Sequence, residues 1–124
     1  MPQYSITLLG TTNTLDITGD KYKGAGWTGY TSGFHSTGWE FNSFLGRIKI
    51  QATLATNPSE TDWFDVDLDN TGNGYLEFTQ AFTGSKYYNF TGNFVWVRAV
   101  MWRTYDPGLT LGNAGNIVRV LYNF

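Results

Sequence analysis

Cysteine is absent from the 124-residue chain, and histidine occurs once, as His35. Without cysteine there is no disulfide framework, no thiolate zinc site and no thiol nucleophile. One imidazole rules out histidine-rich metal sites and most histidine-based catalysis. Charge is sparse as well. Asp, Glu, Lys and Arg supply 15% of the residues and sum to a net charge of −2, with the basic residues scattered in ones and twos. Nucleic-acid binding draws its affinity from a concentrated basic face, so that partner is not expected. No apolar run reaches roughly 18 residues, the least a membrane span needs, so no membrane partner is expected. Met1-Pro2-Gln3-Tyr4 lacks the charged and apolar regions of a secretion signal. The expectation is a soluble protein released into a cytoplasm, with no metal, no cofactor and no catalytic residue.

What the chain does contain is turn and strand material. Gly (15), Thr (17) and Asn (10) make up a third of it, and 22 residues are aromatic. That balance favours strands joined by many turns over a helical bundle. The clearest alternation runs from Arg47 to Leu54, where Ile48, Ile50, Ala52 and Leu54 share one face. After a turn-rich segment, Phe64, Val66 and Leu68 alternate with Asp65, Asp67 and Asp69. The two runs read as an antiparallel pair with Leu54 opposite Phe64, Ile50 opposite Leu68 and Lys49 across from Asp69. Phe94–Trp102 is apolar almost throughout and reads as a strand covered on both faces. Ile117–Phe124 alternates again. Further strand candidates are Gln3–Leu9, Thr14–Asp20, Phe34–Phe41, Tyr75–Ala81 and Lys86–Phe90. With no convincing helix, the pattern predicts a single all-β domain over residues 1–124. The expected form is an antiparallel β-sandwich, jelly-roll-like or Ig-like, of about eight strands.

Three motifs suggest chemistry, and each has a plainer explanation. Gly24-Ala25-Gly26-Trp27-Thr28-Gly29 matches the dinucleotide fingerprint, but turn residues follow it instead of a helix, and no βαβ context exists. It reads as a glycine–aromatic loop. Counted from Asp67, the acidic run places Asp69 and Thr71 at calcium-loop positions 3 and 5 and Gly72 at position 6. Glu77 then falls one place short of the bidentate position, which favours the outward face of a strand entering a turn. Glu40, Asp62, Asp65 and Glu77 could supply a glycosidase-like carboxylate pair, although any domain with ten acidic residues could do so. No nucleophile elbow surrounds any serine. His35 reads as a hydrogen-bonded strand or loop residue.

The aromatics are the remaining functional signal. Trp27, Tyr30, Phe34 and Trp39 fall in one glycine-rich stretch, and Tyr87, Tyr88 and Phe90 in another. Most aromatics are expected to fill the core. The stretch around Lys21–Thr31 has too many glycines for a strand and too many rings for a solvent loop, so it is expected to pack against something. Trp27, Tyr30, Phe34 and Trp39 are the interaction candidates, either as anchors for a protein partner or as stacking platforms for a glycan.

Three segments carry a resemblance: Lys21–Tyr30; Gly46–Ala55 leading through Asn57-Pro58 to Asp62-Trp63-Phe64; and Phe90–Ala99. In order and spacing they resemble a recurring β-domain in particle proteins of contractile-tailed phages of marine cyanobacteria. The resemblance covers more than half of the chain and is weak over Thr104–Asn116. It implies a non-enzymatic virion component, made in the host cytoplasm and present in many copies. Such a component would engage other virion proteins and copies of itself as a capsid decoration or a neck, tail or fibre accessory. The alternative is a carbohydrate-binding module that uses exposed aromatics.

Overall fold

The structure, a computed structural model, describes residues 6–29, 33–68 and 72–124. Its strands are β1 (Ile6–Leu9), β2 (Ile17–Thr18), β3 (Tyr22–Lys23), β4 (Phe34–Thr53), β5 (Phe64–Asp65), β6 (Leu76–Thr91), β7 (Trp96–Trp102) and β8 (Asn116–Asn123). A single helical turn, α1 (Ala25–Thr28), and a 3-10 turn at Glu60–Asp62 complete the elements. The expected all-β, antiparallel character holds. All eight strands, however, hydrogen-bond into one sheet, strongly curled as a half-barrel. Two separate sheets are not seen among the described residues.

The 20-residue β4 is the spine. Along one edge it pairs first with β6 and then with β5; along the other it pairs first with β8 and then with β7. On the far side, β1 continues outward from β8, and β2 and β3 from β7. The short strands therefore line up as interrupted rows, and the described residues form a sheet of four long rows. Phe34–Phe41 and Arg47–Leu54 were expected as separate strands but are two stretches of β4. Tyr75–Ala81 and Lys86–Phe90 likewise merge into β6.

The reason lies in side-chain parity. His35, Thr37, Trp39 and Phe41 point inward at odd positions, whereas Phe44, Ile48, Ile50 and Ala52 point inward at even ones. The switch falls at Ser43, whose φ is 51°, where the register with β6 also shifts. One inserted residue keeps the apolar set on the inner face; without it that set would turn outward. Gly46, at φ 133°, follows in the same bend.

Breaks in the other rows fall at the same level. β6 is irregular between Phe78 and Phe82, and β7 and β8 are separated by the 103–115 excursion. The sheet is thus creased along one line, and Arg103 fills the crease. Its side chain is fully buried and donates to four carbonyls: Leu15 at 3.1 Å, Thr14 at 2.7 Å, and Ala114 and Gly115 at 2.8 Å each. Burial pushes the Arg103 pKa down and Asp16 pulls it back, while a guanidinium stays charged throughout. Burial would also raise the Asp16 pKa. The Thr104 hydroxyl and the backbone N–H groups of Arg103 and Thr104 donate to its carboxylate and bring the pKa below the ordinary value.

The halves on either side of the crease close over one core that includes Trp39, Phe41, Phe44, Ile48, Ile50, Val97, Met101, Ile117 and Val120. Burying each large side chain contributes about 1.5–3 kcal/mol. The register of β5 differs from expectation by two residues. Ala52 lies opposite Phe64, Gln51 opposite Asp65, and Val66 donates its N–H to Ile50. A shift of two preserves side-chain parity, and Lys49 reaches diagonally to Asp65, the partner of Gln51, at 3.4 Å; Asp69 lies outside the described residues.

Candidate functional site

The glycine–aromatic stretch folds back on its own chain. Gly24 donates its N–H to Val95 and Gly26 to Phe94, both at 2.8 Å. A Cβ on Gly24 would meet the Phe94 carbonyl oxygen at 2.3 Å, and one on Gly26 the Asn93 carbonyl oxygen at 2.2 Å. These glycines are required for backbone-on-backbone packing. What resembled a phosphate-binding fingerprint is a docking seam between residues 24–29 and the turn at 92–96.

That turn is the hub of an aromatic end. Trp27 packs on Trp96 at a tilt of 49° with centroids 4.8 Å apart, and Phe64 meets Phe94 edge-on at 5.6 Å. Phe34 follows Gly33, whose carbonyl accepts from Gly92; Leu54 follows Thr53, whose carbonyl accepts from Val95. Trp27, Phe34, Leu54 and Phe64 are between 41% and 65% exposed, so four large apolar side chains gather around one turn instead of filling the core. Beside them opens a cleft of about 610 Å³ lined by Phe34, His35, Val66, Leu68, Phe90 and Phe94 among others. Its volume is within the range of small-ligand sites.

His35 forms the inner wall. Its Nε2 accepts the Ala25 N–H at 3.1 Å and its Nδ1 lies 2.9 Å from the Gly33 carbonyl, which fixes the neutral Nδ1–H tautomer. The ring is stacked between Phe90 (4.8 Å) and Tyr122 (5.9 Å). Burial pushes its pKa down, and the hydrogen bond to Gly33 opposes this. Tyr122, its pKa raised by burial, donates its hydroxyl to Lys23. Lys23 is paired with β7, so these contacts tie the two ends of the curled sheet together. Both ring nitrogens are engaged, so His35 is the hydrogen-bonded strand residue its sequence context suggested, and its contacts also tie residues 24–25 to β4.

The interaction candidates divide. Trp27 and Phe34 are exposed at the aromatic end. Tyr30 lies outside the described residues, as do Thr31 and Ser32. Trp39 is fully buried and offers no platform; it points inward with Phe41 and donates its Nε1–H to Thr37. Leu54 and Phe64, expected on the apolar face of their runs with Ile50 and Leu68, are exposed instead, and neither they nor Phe94 were among the interaction candidates. Leu54 and Phe64 sit at the apolar ends of their alternating runs, which is the one signal they give. Among the acids, Asp65 pairs with Lys49, Glu77 with Arg47 and Glu40 with Arg119, and Asp62 caps Ser59. Asp67 accepts from Gly72, while Asp69 and Thr71 of the calcium-like run lie outside the described residues.

A second aromatic surface covers the convex face of the other half. The Arg47 guanidinium lies over Tyr105 (3.9 Å), Tyr75 (4.3 Å) and Trp102 (5.0 Å) and bonds to Glu77 at 2.9 Å. Arg98 lies over Trp63 at 4.1 Å and bonds to Gln51 and Glu60. Comparisons of the chain with family models, with curated proteins and with solved structures found no match.

Proposed function

We propose that the chain is a non-enzymatic structural component of a phage particle, a capsid decoration or a neck, tail or fibre accessory, that docks through its aromatic end. The observation that carries this reading is the gathering of Trp27, Phe34, Leu54 and Phe64 around the 92–96 turn. Exposed rings clustered on a rigid support are what a protein interface uses as anchors. The resemblance to virion β-domains supplies the kind of partner: other virion proteins and further copies of this chain. The two halves of the creased sheet, face to face over one core, stand in for the layers of the expected sandwich. β6 adds a second contact surface. Among the described residues it pairs only with β4, so its outer edge is open along 16 residues.

Purified particles of the phage that encodes the chain should contain it in many copies, by mass spectrometry and immunogold labelling. Recombinant protein should rebind particles that lack it. The double exchange Phe34→Ser with Phe64→Ser should weaken rebinding about tenfold or more, the loss of at least about 1.4 kcal/mol, with thermal unfolding little changed. Absence from purified particles, or rebinding indifferent to the double exchange, would overturn the proposal.

A further inference from the structure

Gly38 lies in the middle of β4, paired on one edge with Tyr87 of β6 and on the other with Leu121 of β8. Glycine weakens a strand interior and there marks a bulge, a bend, or a place where something approaches closely. Gly38 has no positive φ, and the register on either side of it is regular. A Cβ added to it would meet nothing within 4 Å. The fold itself therefore has no use for the missing side chain. It leaves a recess of about 420 Å³ in the convex face. Tyr87, 77% exposed, stands beside the recess instead of lying across the glycine. One rung along, Ser36 is flanked by Asn89 and Asn123, and its hydroxyl donates to Asn89 Oδ1 at 2.8 Å.

We infer that this recess is a saccharide site. A glycine floor, one aromatic wall and neighbouring amide and hydroxyl groups suit a pyranose ring. The apolar face of the sugar stacks on Tyr87, and its hydroxyls, each both donor and acceptor, meet side chains of the same dual character. The Asn89 amide keeps its NH2 as a donor while its oxygen holds Ser36. A peptide cannot add as a strand on the floor of the recess, because β4 is hydrogen-bonded on both edges at this level; the open edge of β6 lies one strand away. The recess adjoins the cleft at the aromatic end, with Ser36 and Asn89 lining both, but its glycine floor and its tyrosine wall, Gly38 and Tyr87, line the recess and not the cleft.

The test is a titration of isotope-labelled protein with linear hexose oligosaccharides of gluco, manno and galacto configuration, followed by amide shifts. At least one should perturb residues 36–38, 87–89 and 121–123 together. Tyr87→Ala and Gly38→Val should each weaken binding about tenfold or more, about 1.4 kcal/mol. Tyr87→Phe, and Phe34→Ser with Phe64→Ser, should retain it. No perturbation by any of the sugars, perturbation confined to the aromatic end, or undiminished binding by Gly38→Val would overturn the assignment. So would silence toward sugars combined with loss of particle rebinding in Gly38→Val, which would make the recess a protein contact.

Discussion

On the C-terminal half of β4 the outward side chains are engaged by their neighbours: Arg47 lies over three rings and pairs with Glu77, Lys49 reaches Asp65, and Gln51 links Asp65 to Arg98. On the N-terminal half the outward position at Gly38 contributes no side chain, and Tyr87 beside it is mostly in solvent. One strand thus supports a surface that satisfies itself and a surface that leaves room. Mutual contacts of the first kind stabilise the fold and give a partner little to gain. A vacancy of the second kind costs stability and makes sense where something else comes to occupy it.

The joint between the halves should be the most sensitive point. Arg103→Met removes donors from four carbonyls in the crease, at about 1–3 kcal/mol for each that stays unpaired, and should destabilise by about 3–5 kcal/mol. Urea unfolding measures it; a loss near zero would mean that the halves do not rely on this clamp.

Next comes the seam at His35. In the unfolded chain its imidazole titrates near 6.5, and in the fold below that. Above 6.5 both states are neutral and His35 contributes no pH dependence. Below it the unfolded chain takes up a proton that the folded chain refuses, so stability falls with pH until the folded pKa is reached. The slope is at most about 1.4 kcal/mol per pH unit. Melting temperatures between pH 7 and pH 5 should show this decline in the wild type and a flatter profile in His35→Gln.

Smaller effects distinguish the two faces. Arg47→Ala strips the self-satisfied surface of its cation and should cost about 1 kcal/mol, read from the urea midpoint and reduced by salt. Gly38→Val should act in the opposite direction, gaining about 0.5–1 kcal/mol because a strand former replaces glycine where there is space. If Gly38→Val destabilised the fold, the recess would have a structural purpose and the contrast between the halves would fail.

Much of the sheet could be read from alternation. Ile48, Ile50 and Ala52 are fully buried, and β7 and β8 lie close to their expected limits. The misreadings have physical causes. The parity change at Ser43 made one long strand look like two, because an inserted residue interrupts the pattern without ending the pairing. Trp39 passed for a surface ring because its inward companions His35 and Thr37 are polar; only its even spacing from Phe41 reveals its side. The register of β5 slipped by two because a loop of that length leaves pairs of equal parity indistinguishable. Arg103 has no local signature, since its partners lie near residues 14–15 and 114–115. At the aromatic end, Trp27 and Phe34 were legible from glycine and ring density. Phe64 and Leu54 join them through long-range pairing, which no local pattern encodes.

The crease has a geometric consequence for access. It brings the inner faces of the two halves together, as the reach of Tyr122 to Lys23 and of Ala25 to His35 attests. The outer faces are therefore turned away from one another. A molecule seated over Gly38 and one resting on the Arg47 side would approach from separate directions without crowding. A chain of this size can in this way be approached from two sides at once, with a single bent sheet as the spacer between them.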